Sequence, residues 1–506
     1  MAATSALAQV FPSVGGPFKV QWENKELVDA NRVDPFNASH ARRMMISHFT
    51  PVAERQCAKT CRVPYMPEQI ATIEDDILAY AFADYGWPQG LLGGLEVDVC
   101  CGVRKPARAA AAKFPTVFFG TGLNTTRLWY TGFATEIASL GYQVIVMDHP
   151  YETDVVLFPD GEIIFGGSVP NDPNNLTALE FGLDVRTSDV SFLLDALKIS
   201  KTVYFGHSFG GASAADATRL ERRIKAGLNL DGALWGPVVN AGVSKPFINF
   251  SGSLNSSIDD SWKNFYKAQD EKHPRVWGKE LHLDKSYHGS FWDLCIIGDF
   301  TGLRDNPDLV ENVLGELKGK RAVEVLRAYL DDFIKFTLLR GPEGLLAGES
   351  TAFPDVHFER RSRDRQFDTQ STDAMTSYQQ IKRHFEFNVV PQCTSAIRTV
   401  ATMNKLSAYK QLTCVRDLVD QVLFEIQKLD ARPGSQNASH DFTRSVQDLV
   451  LYLDEKIALV YGGPEDPELG LAGDKANIDR AHVAWGWLES GSQPMPKVPG
   501  AWPETQ

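Results

Sequence analysis

The sequence predicts an α/β fold with a mostly parallel central sheet flanked by helices, plus a C-terminal helical extension. Three observations lead there. From about residue 115, short apolar runs of strand length alternate with longer amphipathic segments. One of those strands passes through a glycine-rich turn straight into a helix-compatible stretch. Beyond residue 373 the apolar positions change to helical spacing. In chain order, residues 116–119, 142–147, 202–205 and 226–230 are mostly apolar, end in Gly or Asp, and read as strands. Residues 128–140 and 184–197 read as the helices between them, and residues 279–286 alternate as a further strand should. This rhythm implies crossover connections, which place ligand sites beyond the C-terminal ends of the strands.

The breaker Gly341-Pro342 and the charged run at 359–365 close a first domain at residues 1–358. A polar linker over 359–373 follows, then a helical extension over 374–506. In the extension, Leu412, Val415, Leu418 or Val419, Val422 and Ile426 share one face, and Val446, Leu449 or Val450, Leu453, Ile457 and Val460 another. It carries no cluster of reactive side chains, and its role is left unassigned.

The chain has 506 residues, 43% of them hydrophobic and 23% charged, with a net charge of −13. That excludes a disordered chain and leaves no basic excess for nucleic acid. No apolar run is long enough to cross a bilayer. Peripheral membrane contact is compatible with the aromatic segment that includes Tyr80, Phe82, Tyr85 and Trp87; a lid and core packing are the other readings. The first residues lack the basic start of a signal peptide. Sequons at Asn37, Asn124, Asn175, Asn249, Asn255 and Asn437 point outward to a secreted protein. Seven cysteines show no zinc spacing, so no metal and no cofactor is expected; a disulfide such as Cys61–Cys100 competes with buried inert thiols.

The chemistry is concentrated at Gly206-His-Ser-Phe-Gly-Gly211, a G-x-S-x-G motif between strand and helix. Small residues on both sides of Ser208 allow a turn tight enough to project its hydroxyl into the crevice. A serine hydroxyl needs a histidine to take its proton and a carboxylate to hold that histidine. In the α/β-hydrolase order these follow the serine. Asp231 ends a strand and is preferred to Asp216, which reads as a solvated helix residue. His288, just after the strand at 279–286, is preferred to His273 and His282. The oxyanion donors are the N–H of Phe209 and one from the loop Gly120-Thr-Gly-Leu123, with Leu123 preferred and Gly122 left open.

With these residues assembled, the chain resembles the plasma-type platelet-activating-factor acetylhydrolase family, especially its fungal members. The resemblance covers about residues 16–358. It rests on Gly16-Pro-Phe-Lys19, Arg32-Val-Asp-Pro-Phe36, Met44-Met-Ile-Ser47, Thr121-Gly-Leu123, Asp148-His-Pro150, the serine motif, Asp231 and His288-x-x-Phe291-x-Asp293. It implies a calcium-independent serine esterase acting on the sn-2 short-chain or oxidised acyl ester of phospholipids. Ser208 would be the nucleophile, Asp231 the orienting acid, His288 the base, and Leu123 with Phe209 the oxyanion donors. It also implies a Cys61–Cys100 pair, as in secreted relatives. Thr121 stands where the mammalian enzymes have His, and the extension lies outside the family pattern. The competing readings are a general carboxylesterase or polyester hydrolase, and a catalytically silent scaffold acting as a binding protein.

Overall fold

The computed structural model describes residues 9–361, except 83–85 and 105–113, together with residue 419. Contacts divide the chain after Arg365, so the helical faces expected in the extension lie outside the described residues, Val419 apart.

Nine strands form the main sheet: β1 (Phe18–Val33), β2 (Ala41–Ala53), β3 (Thr116–Gly120), β4 (Gln143–Met147), β5 (Thr202–His207), β6 (Ile224–Leu230), β7 (Phe247–Ser251), β8 (Gly278–Leu283) and β9 (Val356–Arg361). Their spatial order is β9-β8-β7-β6-β5-β3-β4-β2-β1. The six strands from β4 to β8 run parallel, and antiparallel strands extend both edges. Val117, Phe118 and Phe119 of β3 and Val203, Tyr204 and Phe205 of β5 are wholly buried. Both faces of these strands are covered, which is why they read as continuous apolar runs rather than alternating ones. After β3 the chain passes to β4 on one side and returns to β5 on the other, so a crevice opens at the ends of β3 and β5. This is the layout that the α/β-hydrolase reading requires.

Four helices matter for the site: α1 (Glu68–Ala81), α2 (Thr131–Ser139), α3 (Leu176–Ala196) and α4 (Phe209–Leu220). α3 buries Val190, Leu193 and Leu194 against Met44, Ile46, Ile145 and Met147 on one face of the sheet. On the other face the helix Gly319–Leu339 buries Val325, Leu326, Tyr329, Leu330, Phe333 and Ile334 in the largest apolar cluster. β9 ends at Arg361, so the sheet takes in the start of the segment expected to be linker. In the aromatic segment, Leu78, Trp87 and Leu92 are buried in the core while Tyr80 projects. No described helix is long and apolar enough to cross a membrane.

A satellite sheet joins Leu95–Val103 to Gln9–Val10 and Cys57–Pro64. It carries two disulfides, Cys57–Cys100 and Cys61–Cys101. The expected Cys61–Cys100 pair is therefore corrected. Two antiparallel strands hold two cysteines each, and the adjacent Cys100 and Cys101 take separate partners on the facing strand. Cys295 is a buried free thiol.

Candidate active site

β5 is followed by Ser208, whose backbone at φ 56° and ψ −125° turns the chain abruptly into α4. The flanking glycines are required there. A Cβ on Gly206 would lie 2.3 Å from the Gly210 carbonyl oxygen, and one on Gly210 would lie 2.2 Å from that of Gly120. No side chain fits at either separation, so the motif is read here as a packing demand and not as mere flexibility. Ser208 N–H is held by Leu230 O on the neighbouring strand at 2.8 Å. Phe209 opens α4, where a first-turn amide has no carbonyl of its own helix to bond.

Asp231 follows β6 with φ 54° and is completely buried. Its Oδ1 accepts from the amides of Gly252 and Ser253, both at 2.8 Å, and its Oδ2 from the Ser253 hydroxyl at 2.6 Å. The same Oδ2 accepts from Nδ1 of His288 at 2.7 Å. Burial alone would raise this carboxyl; the His288 hydrogen bond and charge, with the Ser253 and Gly252 donors, outweigh it and hold the pKa at about 2. His288 lies on a short turn after β8, with its side chain 42% exposed toward the crevice. The structure thus brings Asp231 and His288 together across 57 residues of sequence.

The loop after β3 is fixed by groups the sequence reading missed. Arg186, buried on α3, donates to the carbonyls of Thr121 (2.6 Å) and Gly122 (2.9 Å) and pairs with Glu152 at 2.7 Å. A charge on the apolar stripe formed by Leu183, Val190 and Leu194 is the signal that could have found it. Tyr130 OH accepts from Gly122 N–H at 2.8 Å and lies 3.0 Å from His207 Nδ1. His207 Nε2 lies 3.1 Å from the carbonyl oxygen of His288. A carbonyl needs a donor, so Nε2 carries the proton and Nδ1 accepts from Tyr130. Burial first, and then the charge of His288, lower the His207 pKa and keep that ring neutral. A single hydrogen-bonded relay therefore joins the β3 loop to the backbone of His288. The Gly122 amide is committed to Tyr130, so of the two donors left open in this loop it is the one already engaged.

The other candidates are placed elsewhere. Asp216 is buried, not solvated, and accepts from Arg219 and Thr187. His282 bonds Ser251 and His273 bonds the Ala241 carbonyl. Among the described residues no group of three or more His, Cys, Asp or Glu is arranged to hold a metal ion.

Residues 89–156 match the family model described as platelet-activating factor acetylhydrolase, isoform II. A probable 1-alkyl-2-acetylglycerophosphocholine esterase of Arthroderma benhamiae is 38% identical over 365 residues, which is 69% of this chain and 93% of that protein. The chain belongs to the platelet-activating-factor acetylhydrolase family. A member from Cavia porcellus, named platelet-activating factor acetylhydrolase, is 25% identical over 260 residues, covering 43% of this chain and 58% of its own length. Among solved structures, a ferulic acid esterase from Streptomyces cinnamoneus superposes with a TM-score of 0.57 at 26% identity, covering 70% of this chain and all of its own. The acetylhydrolase family assignment and this esterase neighbour agree with the α/β-hydrolase fold.

Proposed function

We propose that this acetylhydrolase-family chain is a serine esterase that cleaves the sn-2 short-chain or oxidised acyl ester of phospholipids through an acyl-enzyme. The observation that carries the proposal is the Asp231–His288 hydrogen bond beside the strained Ser208 turn, in a chain 38% identical to a named 1-alkyl-2-acetylglycerophosphocholine esterase.

In this reading Asp231 fixes the His288 tautomer with Nδ1 protonated, leaving Nε2 free to accept the Ser208 proton. Ser208 Oγ attacks the ester carbonyl, and the amides of Leu123 and Phe209 receive the charge that develops on its oxygen. His288 then protonates the departing alcohol. Water, deprotonated by the same imidazole, attacks the acyl-serine and releases the acid. Each oxyanion donor contributes on the order of 3 kcal/mol to the transition state. No step calls for calcium.

The test compares turnover of a 2-acetyl phospholipid with that of a soluble p-nitrophenyl ester, each in the presence of a chelator. Turnover of both is the expected result. Ester turnover without phospholipid turnover would favour the general carboxylesterase, and neither would favour the silent scaffold.

A further inference from the structure

A cavity of about 590 Å³ lies away from the crevice above Ser208. It lies against the segment Phe11–Gly15, between the satellite sheet, the start of α2 and the helix Gly319–Leu339. Its volume falls within the range of about 300–1,000 Å³ usual for small-molecule sites. Its wall is apolar: Phe11, Val20, Val97, Val99, Ile296 and Val323 line it. The first five of these are buried in the protein, so the cavity is walled by fixed core side chains.

Three acidic and three basic side chains line this cavity, and they differ in whether they have partners. Three acids line it, and each is engaged by an arginine: Asp98 with Arg62, Glu136 with Arg327, and Glu324 with Arg321. Lys19 and Lys320 also line it, both exposed, and neither has an ion pair or hydrogen bond from its ammonium among the described residues. In a chain whose net charge is −13, the two ammonium groups without partners at the edge of an apolar cavity are available to a ligand of opposite sign.

We propose that this cavity is a second ligand site, separate from the hydrolytic crevice, for a single-chain amphiphile with an anionic head. The alkyl chain lies along the valine-lined wall and the head meets Lys19 and Lys320. A fatty carboxylate and an alkyl phosphate share this chemistry. The inference does not depend on the role of Ser208, because no lining residue belongs to the proposed triad or oxyanion hole.

The test is calorimetric titration of the full chain with sodium dodecanoate, dodecyl phosphate and dodecanol below their aggregation limits. Wild type is compared with Lys19→Glu/Lys320→Glu, which changes exposed side chains only, and with Val323→Trp, which fills the cavity. Saturable binding of one dodecanoate per chain is expected, weakened at least tenfold in the double variant and in Val323→Trp, with dodecanol weaker than either anion. Tighter dodecyl phosphate than dodecanoate assigns the head to a phosphate; the reverse assigns it to a carboxylate. No saturable binding overturns the proposal, as does an affinity unchanged in the lysine variant, which would put the ligand in the catalytic crevice. The lysine variant decides the matter if Val323→Trp does not fold. Ester turnover, measured alongside, is expected to be retained in the lysine variant, so loss of turnover in wild type would count against the esterase reading without touching this one.

Discussion

Ser208 and Asp231 both sit at positive φ, 56° and 54°, where a side chain costs of order 1–3 kcal/mol that glycine does not. At Ser208 the neighbouring packing enforces that geometry, so the strain belongs to the turn and not to the hydroxyl. Ser208→Gly should therefore be inactive yet more stable than Ser208→Ala by about 1 kcal/mol, measured by denaturant unfolding. Equal stability of the two variants would contradict a strained turn. The relay through Tyr130 makes a second prediction. Tyr130→Phe leaves the Gly122 amide and His207 Nδ1 without partners, a loss of roughly 1–3 kcal/mol. Its kcat/KM should fall about tenfold or more while protein stability falls modestly; an unchanged kcat/KM would show that the relay does not position the site. Ser208 and Asp231 were legible in the sequence because each is marked locally, by the G-x-S-x-G spacing and by an apolar strand running into Asp-Gly. Tyr130 and Glu152 were not, because their roles depend on His207 and Arg186, which are distant in sequence; Arg186 was marked only by a charge on an apolar helical stripe.

At the scale of elements, the two disulfides cross-link the same pair of strands and close loops with sequence separations of 43 and 40 residues. One such loop is worth about 4 kcal/mol in the chain-entropy picture, but the second bond closes almost no additional loop once the first is formed. Cys61→Ser/Cys101→Ser should thus cost much less than removal of all four cysteines, in urea unfolding under oxidising conditions. Peptide mapping should recover Cys57–Cys100 and Cys61–Cys101 linkages. The parallel strands β3, β4, β5 and β6 were readable because burial on both faces leaves an unbroken apolar run. The hairpin of β1 and β2 was not, since Gln21, Glu23 and Lys25 break the pattern on a strand at the sheet edge. β7 was also missed: it buries Asn249 and Ser251, which pair with Asn229, Tyr266 and His282. That burial removes Asn249 as a glycan acceptor in the folded chain. Asn175 is exposed, though its side chain caps α3.

For the whole molecule, buried carboxyls set how stability depends on pH. Asp231, held at about 2, contributes stability that is fully present above the unfolded carboxylate range and is lost as pH falls through about 2. Glu74 works the other way: burial raises it to about 7, opposed by its bonds to Trp129 and Asp154, and Asp154 is raised as well. Burial likewise raises Asp293 to about 7 against the Gly132, Phe133 and Tyr65 donors. These carboxyls therefore bind more protons in the native protein than in the unfolded chain between the ordinary carboxyl range and about pH 7, and their contribution to stability declines as pH rises across that window. The buried His149 and His207, both lowered by burial, contribute with the opposite sign. Glu74→Gln should therefore gain melting temperature relative to wild type as pH is raised from 5 to 8; a difference between the two proteins that does not change with pH would refute this. The fold class was readable at this scale because one rhythm of strands and helices spans the domain. The second cavity was not, because its wall draws on residues between Phe11 and Arg327 that no local pattern connects.

The central claim is that Ser208 is a nucleophile activated by His288 and Asp231. Its most direct test is mass spectrometry of the folded chain after exposure to a fluorophosphonate. A single adduct on the peptide containing Ser208, absent in Ser208→Ala and much slower to form in Asp231→Asn, is the predicted result. No adduct on folded wild-type protein, or an adduct that persists in Ser208→Ala, would contradict it.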